Sequence, residues 1–145
     1  MPKITSCITK ISRCSHHFHN ACLGETGLRS AHGSYLWHVC HTPGITQEQL
    51  AQKTCIDKSN ITRQTAFLEE RGLIRRECSP TDRRAMLLYP TEKALALLPR
   101  LEETDRNWSA LITQDLTEEE NEVLCRCLDK MRLRAVQWLE ERKNV

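Results

Sequence analysis

Asp57-Lys58-Ser59-Asn60-Ile61-Thr62-Arg63-Gln64-Thr65-Ala66-Phe67-Leu68-Glu69-Glu70-Arg71-Gly72-Leu73-Ile74-Arg75-Arg76 is the stretch on which the fold turns. Asp57 is a strong N-cap, because its carboxylate accepts from a free N–H of the first helical turn. The helix it opens runs to about Glu70. Arg71 stands in the last turn, where a cation suits the dipole, and Gly72 follows as the stop. Along this helix Ser59, Thr62, Arg63 and Ala66 recur at helical spacing and make one largely polar stripe, with Lys58 and Asn60 beside its start.

Reading outward, Thr46-Gln47-Glu48-Gln49 fits a capping box that opens a short helix, with Leu50 and Ala51 as its apolar side. Before it, Thr42-Pro43-Gly44 is a turn, and Ser30–Cys40 is a helix with Tyr35, Leu36, Val39 and Cys40 on one face. After it, Leu73–Cys78 and Ala85–Tyr89 read as two short strands around Ser79-Pro80-Thr81-Asp82, with Arg83 and Arg84 at the tip. Short helix, turn, helix and hairpin in succession make a winged helix-turn-helix. The expected class is mainly α (α+β), with a two-stranded wing.

Long helices flank this unit. Ile4, Cys7, Ile11, Cys14, Phe18 and Cys22 form a heptad-like seam over residues 4–22. Thr91 caps a helix to about Asp115 with a kink expected at Pro99, and Thr117 caps a last helix striped by Leu124, Leu128, Met131, Ala135 and Trp138. The expected division is one domain over 1–145, with a DNA-binding lobe at 30–90 and dimerisation helices at 1–24 and 91–145.

Net charge is only +2, but it is distributed unevenly. Residues 1–45 carry four basic and one acidic side chain, residues 46–84 carry eight and six, and residues 91–145 carry nine and twelve. A basic front and an acidic rear suit a nucleic-acid face with a separate assembly region. No stretch is apolar enough to span a membrane and no apolar leader opens the chain, so a cytoplasmic protein without membrane partners is expected.

A helix-turn-helix places the early residues of its second helix against base edges in the major groove. Arg63 can donate twice to guanine, Asn60 can pair with adenine, and Ser59, Thr62 and Lys58 suit phosphate or base-edge contacts. A polar stripe is also what any solvated helix face shows. The hairpin favours the first reading: five arginines (71, 75, 76, 83 and 84) stand in fourteen residues. Arginine at a wing tip fits the negative potential of a minor groove, whereas blunting a sheet edge would need only charge of either sign. The DNA-contact set is therefore Lys58, Ser59, Asn60, Thr62, Arg63, Arg76, Arg83 and Arg84, with Asp82 shaping the wing turn.

From Ile45 to Ala94 the sequence resembles the MarR family of winged-helix transcription regulators. Ile45-Thr46-Gln47-Glu48-Gln49-Leu50-Ala51 resembles its first motif helix. Leu68-Glu69-Glu70-Arg71-Gly72-Leu73-Ile74-Arg75-Arg76 resembles the end of its recognition helix and first wing strand. Asp82-Arg83-Arg84 fits the wing motif D-x-R, and Leu88-Tyr89-Pro90-Thr91-Glu92-Lys93 the start of the long helix. Gln64 and Thr65 depart from the pattern, standing where the family presents apolar residues to the motif core. The resemblance implies a homodimer with interleaved terminal helices, a pseudo-palindromic double-stranded DNA operator, and a repressor released by a small-molecule effector. Phe18 and Trp37 are candidate walls of the effector pocket.

Two other signals are conceivable in the same fold. All six His lie between His16 and His41, and the chain has eight Cys but no C-x-x-C pair. Cys7 and Cys14 are the redox candidates, against plain packing as small hydrophobes. His16 with His19, or His38 with His41, would need ligands from another segment to hold a metal or haem, so no cofactor is expected. No P-loop, G-x-S-x-G or H-E-x-x-H is present, and no enzyme is expected. A winged helix serving as a protein-binding adaptor is the remaining alternative.

Overall fold

The computed structural model describes residues 3–143. Its elements are α1 (Lys3–Leu23), a 3-10 turn (Gly24–Thr26), α2 (Ser30–His41), β1 (Ile45–Thr46), α3 (Gln47–Thr54), α4 (Lys58–Glu70), β2 (Ile74–Cys78), β3 (Met86–Pro90), α5 (Glu92–Thr113) and α6 (Glu118–Lys143). Two compact units result, Met1–Trp108 and Ser109–Val145.

The first unit is built on α2, α3, α4 and the sheet. Leu36, Val39, Leu50, Ile61, Leu68 and Leu88 are all fully buried there, one or two from each element. Each such side chain contributes roughly 1.5–3 kcal/mol on leaving water. The core does not stop at residue 90: Ala94 and Leu101 of α5 and Leu23 of α1 belong to the same cluster. Gly72 takes φ +69°, the left-handed turn that lets α4 reverse directly into β2.

The wing hairpin forms as expected, but the sheet has three strands, in the order β1-β3-β2, all antiparallel. Ile45 pairs with Leu88 and Thr46 with Leu87, so the residues just before α3 are stitched to the wing. A two-residue strand carries no periodicity and leaves no trace in the sequence. Thr65, a polar residue at a position where an apolar one is the expected pattern, is fully buried without an unpaired group. Its hydroxyl donates to the Ile61 carbonyl at 2.9 Å and accepts from Gln47 Nε2 at 2.8 Å. The polar residue is thus satisfied inside the motif core.

The ends of α1 and α2 are tied to α5 by histidines. His19 Nε2 meets Asp105 Oδ1 at 2.8 Å, and His41 Nε2 meets Glu102 Oε1 at 3.3 Å. The helical spacing places His19 on a face away from packing; instead it is half-buried and lies edge-on to Trp108. The far half of α1 is different, with Ile4, Ile8 and Ile11 exposed.

In the second unit, Thr117 and Glu120 form a reciprocal capping box that opens α6. No described residue of α6 is buried. Val123, Leu124, Leu128, Met131 and Trp138 are exposed large hydrophobics.

Candidate nucleic-acid interface

The face is assembled by local capping. Thr46 Oγ1 accepts from Gln49 N, and Gln49 Oε1 accepts from Thr46 N, both at 3.0 Å, which starts α3. Cys55 closes α3 at φ +56°, and the Ile56 N–H returns to the Ala51 carbonyl at 3.1 Å. Asp57 then caps α4: its Oδ1 accepts from the Asn60 N–H at 2.8 Å and from the Ser59 hydroxyl at 2.6 Å. Those two hydrogen bonds hold the Asp57 carboxyl below its ordinary range. The cap is therefore charged at the positive end of α4, the end that a helix-turn-helix directs at DNA.

The start of α4, α3 and the wing enclose an open groove of about 570 Å³. Lys58 and Thr62 line it from α4, Gln47 and Gln52 from α3, and Asp82, Arg84 and Met86 from the wing. Residues 26 positions apart, Lys58 and Arg84, thus share one concave surface. At the wing tip, Asp82 Oδ1 accepts from the Arg84 N–H at 2.9 Å, so the aspartate shapes the turn that presents the arginines.

The sequence-derived contact residues divide by how free they are. Among the described residues, the guanidinium groups of Arg63, Arg83 and Arg84 make no hydrogen bond or salt bridge, and all three side chains are exposed. Ser59 and Thr62 are exposed, with their hydroxyls donating to Asp57 and to the Lys58 carbonyl, which leaves their oxygens as acceptors. Lys58 pairs with Glu48 at 3.0 Å, both side chains well exposed. Asn60 is half-buried and hydrogen-bonded to Gln64. Arg76 is not free. Its Nε and Nη2 both donate to Glu69 Oε1, at 3.1 and 3.0 Å, and its backbone N–H donates to Glu69 Oε2.

The remaining candidates lie elsewhere. Trp37 lines a cleft of about 430 Å³ with His19, Leu101, Asp105 and Trp108, while Phe18 is not among its lining residues and packs at a tilt against Trp108, ring centroids 5.3 Å apart. Cys7 and Cys14 are exposed thiols on α1. His16 bonds the Ser30 hydroxyl at 3.1 Å, and Trp37 packs edge-on to His38 and stacks on His41. Among the described residues, no three His, Cys, Asp or Glu side chains converge as metal ligands. The sequence reading missed His32 and Gln64. The one available signal was the spacing of Asn60 and Gln64, one helical turn apart.

Residues 28–86, which run from just before α2 through β2 and the wing tip to the first residue of β3, match the sequence model of the MarR family. The winged-helix stretch of this chain is thus similar to the MarR family. A Thauera aromatica protein named as a transcriptional regulatory protein for the hcr operon is 37% identical over 79 residues, 52% of this chain and 48% of that protein. The chain thus aligns with about half the length of that relative. Two solved structures from Listeria monocytogenes match almost end to end. A SlyA-like regulator gives a TM-score of 0.94 at 28% identity, covering 99% of this chain and 96% of its own. A MarR family regulator solved with a 26mer DNA gives 0.91 at 28% identity, with the same coverage of both chains. The fold is one shared with solved transcriptional regulators. No described helix is long and apolar enough to cross a membrane.

Proposed function

We propose that this chain is a homodimeric, sequence-specific DNA-binding repressor of the cytoplasm, whose grip on a pseudo-palindromic operator is relieved by a small molecule. One observation carries the DNA reading: Lys58, Thr62 and Arg84 line one groove, flanked by arginines with no intramolecular partner among the described residues. α4 enters the major groove with Arg63 and Ser59 outermost, and Arg83 and Arg84 reach the adjacent minor groove. The solved relative bound to a 26mer DNA supports the same use of the same fold. The exposed isoleucines of α1 and the wholly unburied α6 support dimerisation, because apolar surface on this scale normally meets a partner. The cleft faced by Trp37, Trp108 and Asp105 supports the effector, as an aromatic-walled cavity of ligand size with a few polar groups.

The test is selection of duplexes from a random pool by the full-length protein, followed by titration of the winner and a scrambled duplex at two salt concentrations. The expected result is a palindromic consensus, tighter binding to it than to the scramble by at least roughly 10³-fold, and affinity that falls steeply with salt. Equal binding to both duplexes overturns the regulatory reading, and salt-independent binding overturns the assigned basic face.

A further inference from the structure

A line of hydrogen bonds runs from the start of α2 to the start of α4. The backbone N–H of Arg29 donates to His32 Nδ1 at 3.1 Å. His32 Nε2 meets Gln64 Oε1 at 2.8 Å, and Gln64 Nε2 donates to Asn60 Oδ1 at 3.1 Å. His32 is 8% exposed and its ring is stacked on Phe67, centroids 4.4 Å apart, so it cannot swing to another partner.

The direction of this line is not arbitrary. A backbone N–H can only donate, so Nδ1 must accept and the ring carries its proton on Nε2. Nε2–H then requires the Gln64 oxygen, which leaves the Gln64 NH2 to face Asn60. Asn60 must answer with its oxygen. Its own NH2 is left over: it makes no intramolecular hydrogen bond among the described residues, and since no buried side-chain polar atom is unpaired, it is reachable from solvent. An asparagine side chain would otherwise turn over freely, because its two ends are nearly the same shape.

We propose that His32 and Gln64 are positioning residues that lock the amide of Asn60 so that it offers its NH2, and not its oxygen, to the bases. This rests on the reading that α4 enters the major groove. An unconstrained asparagine suits adenine, because it gives one hydrogen bond and takes another. With its oxygen engaged, Asn60 becomes a donor and favours edges that only accept: guanine at O6 and N7, or thymine at O4. The sequence alone pointed Asn60 at adenine. The relay redirects it, from a residue 28 positions upstream that touches no DNA.

Gln64→Glu reverses the line at one atom. A carboxylate still accepts from His32 but cannot donate, so Asn60 turns over, gives its NH2 to the new carboxylate and faces the bases with its oxygen. The full-length wild type, Gln64→Glu, His32→Asn and His32→Gln are each put through selection from a random duplex pool, with a thermal melt of each as the folding control. Wild type is expected to select guanine or thymine at one position per half-site, by roughly fivefold or more over cytosine. Gln64→Glu is expected to select cytosine or adenine at that same position, with the others unchanged. His32→Gln keeps a donor near Nε2 and retains the wild-type choice. His32→Asn keeps the acceptor near Nδ1 but cannot reach Gln64, so the choice fades to within about twofold among the four bases. The same base choice in wild type and Gln64→Glu overturns the inference while leaving DNA recognition intact. So does identical behaviour of the two His32 variants, which is what a merely structural histidine predicts. A wild type that selects no sequence overturns both this inference and the DNA reading beneath it.

Discussion

Arg76 of β2 lays its guanidinium on the carboxylate of Glu69, seven residues back on α4, with Nε and Nη2 both reaching Oε1. The same carboxylate takes the Arg76 backbone N–H, so one glutamate joins the end of the recognition helix to the first wing strand at three points. The arginine holds the Glu69 carboxyl below the usual carboxylate range. Arg76→Ala is therefore expected to loosen that joint, costing about 0.5–1 kcal/mol because both side chains keep some contact with water. The slope of log affinity against log salt should not change. Thermal melts and salt titrations of one variant check both halves, and a slope lowered by about one unit per half-site would return Arg76 to the DNA-contact set.

Arg84 provides the contrast. Its guanidinium has no partner among the described residues and lines the groove beside Lys58 and Thr62. Arg84→Ala is expected to weaken binding to the selected duplex by about 1–3 kcal/mol, with no change in melting temperature. Affinity within about twofold of wild type at matched salt would remove the wing from the interface.

Thr65 tests the polar plug of the motif core. Thr65→Val keeps the shape but deletes the hydroxyl that bonds Ile61 and Gln47. A loss of about 1–2 kcal/mol in urea unfolding is expected, since Gln47 Nε2 is left without its partner. An unchanged midpoint would mean that water replaces the hydroxyl at no cost.

Mild acid should destabilise the fold through His32 and His38. Burial, above all, pushes the pKa of both His32 and His38 below the ordinary 6.5. The folded chain then binds fewer protons than the unfolded chain just below 6.5, so stability rises with pH there. The contribution is complete above 6.5 and is lost as pH falls through the lowered folded values. Melting temperature should fall between about pH 7.5 and 5.5, and the His32→Gln/His38→Gln double variant should show a flatter profile over that interval. Parallel profiles would place the sensitivity in other groups.

Leu128 of α6 is 45% exposed in the single chain. If α6 meets a second copy, Leu128→Asp places a charge in that contact. Sedimentation should show a shift from dimer to monomer, with weakened binding to the palindromic duplex. A variant still dimeric at micromolar concentration would move the contact off this face of α6.

How much of this could be read from the chain follows from distance along it. The Asp57 cap, the Gly72 stop, the capping box at Thr46 and the Arg-rich hairpin are local devices, and each appears where its residues predicted. The groove was legible in part, because the helix-turn-helix order implies that α4 and the wing share a face. What escaped is long-range. Glu69 and Arg76 belong to different elements, and nothing in linear order says that they meet. His32 and Gln64 lie 32 residues apart, and no periodicity links them. His19 reads as solvated until α5 brings Asp105 to it.

The third strand fixes a length. Ile45 and Thr46 hydrogen-bond to β3 while Thr46 also caps α3, and Gly44 N reaches the Leu88 carbonyl at 2.8 Å. The helix-turn-helix and the wing are consequently one solid piece, with no hinge at which either could lengthen its reach. Two stretches of duplex touched by such a piece must lie a set number of base pairs apart. A single inserted pair between them would rotate one contact about a tenth of a turn around the helix axis, and this lobe has no slack with which to follow it.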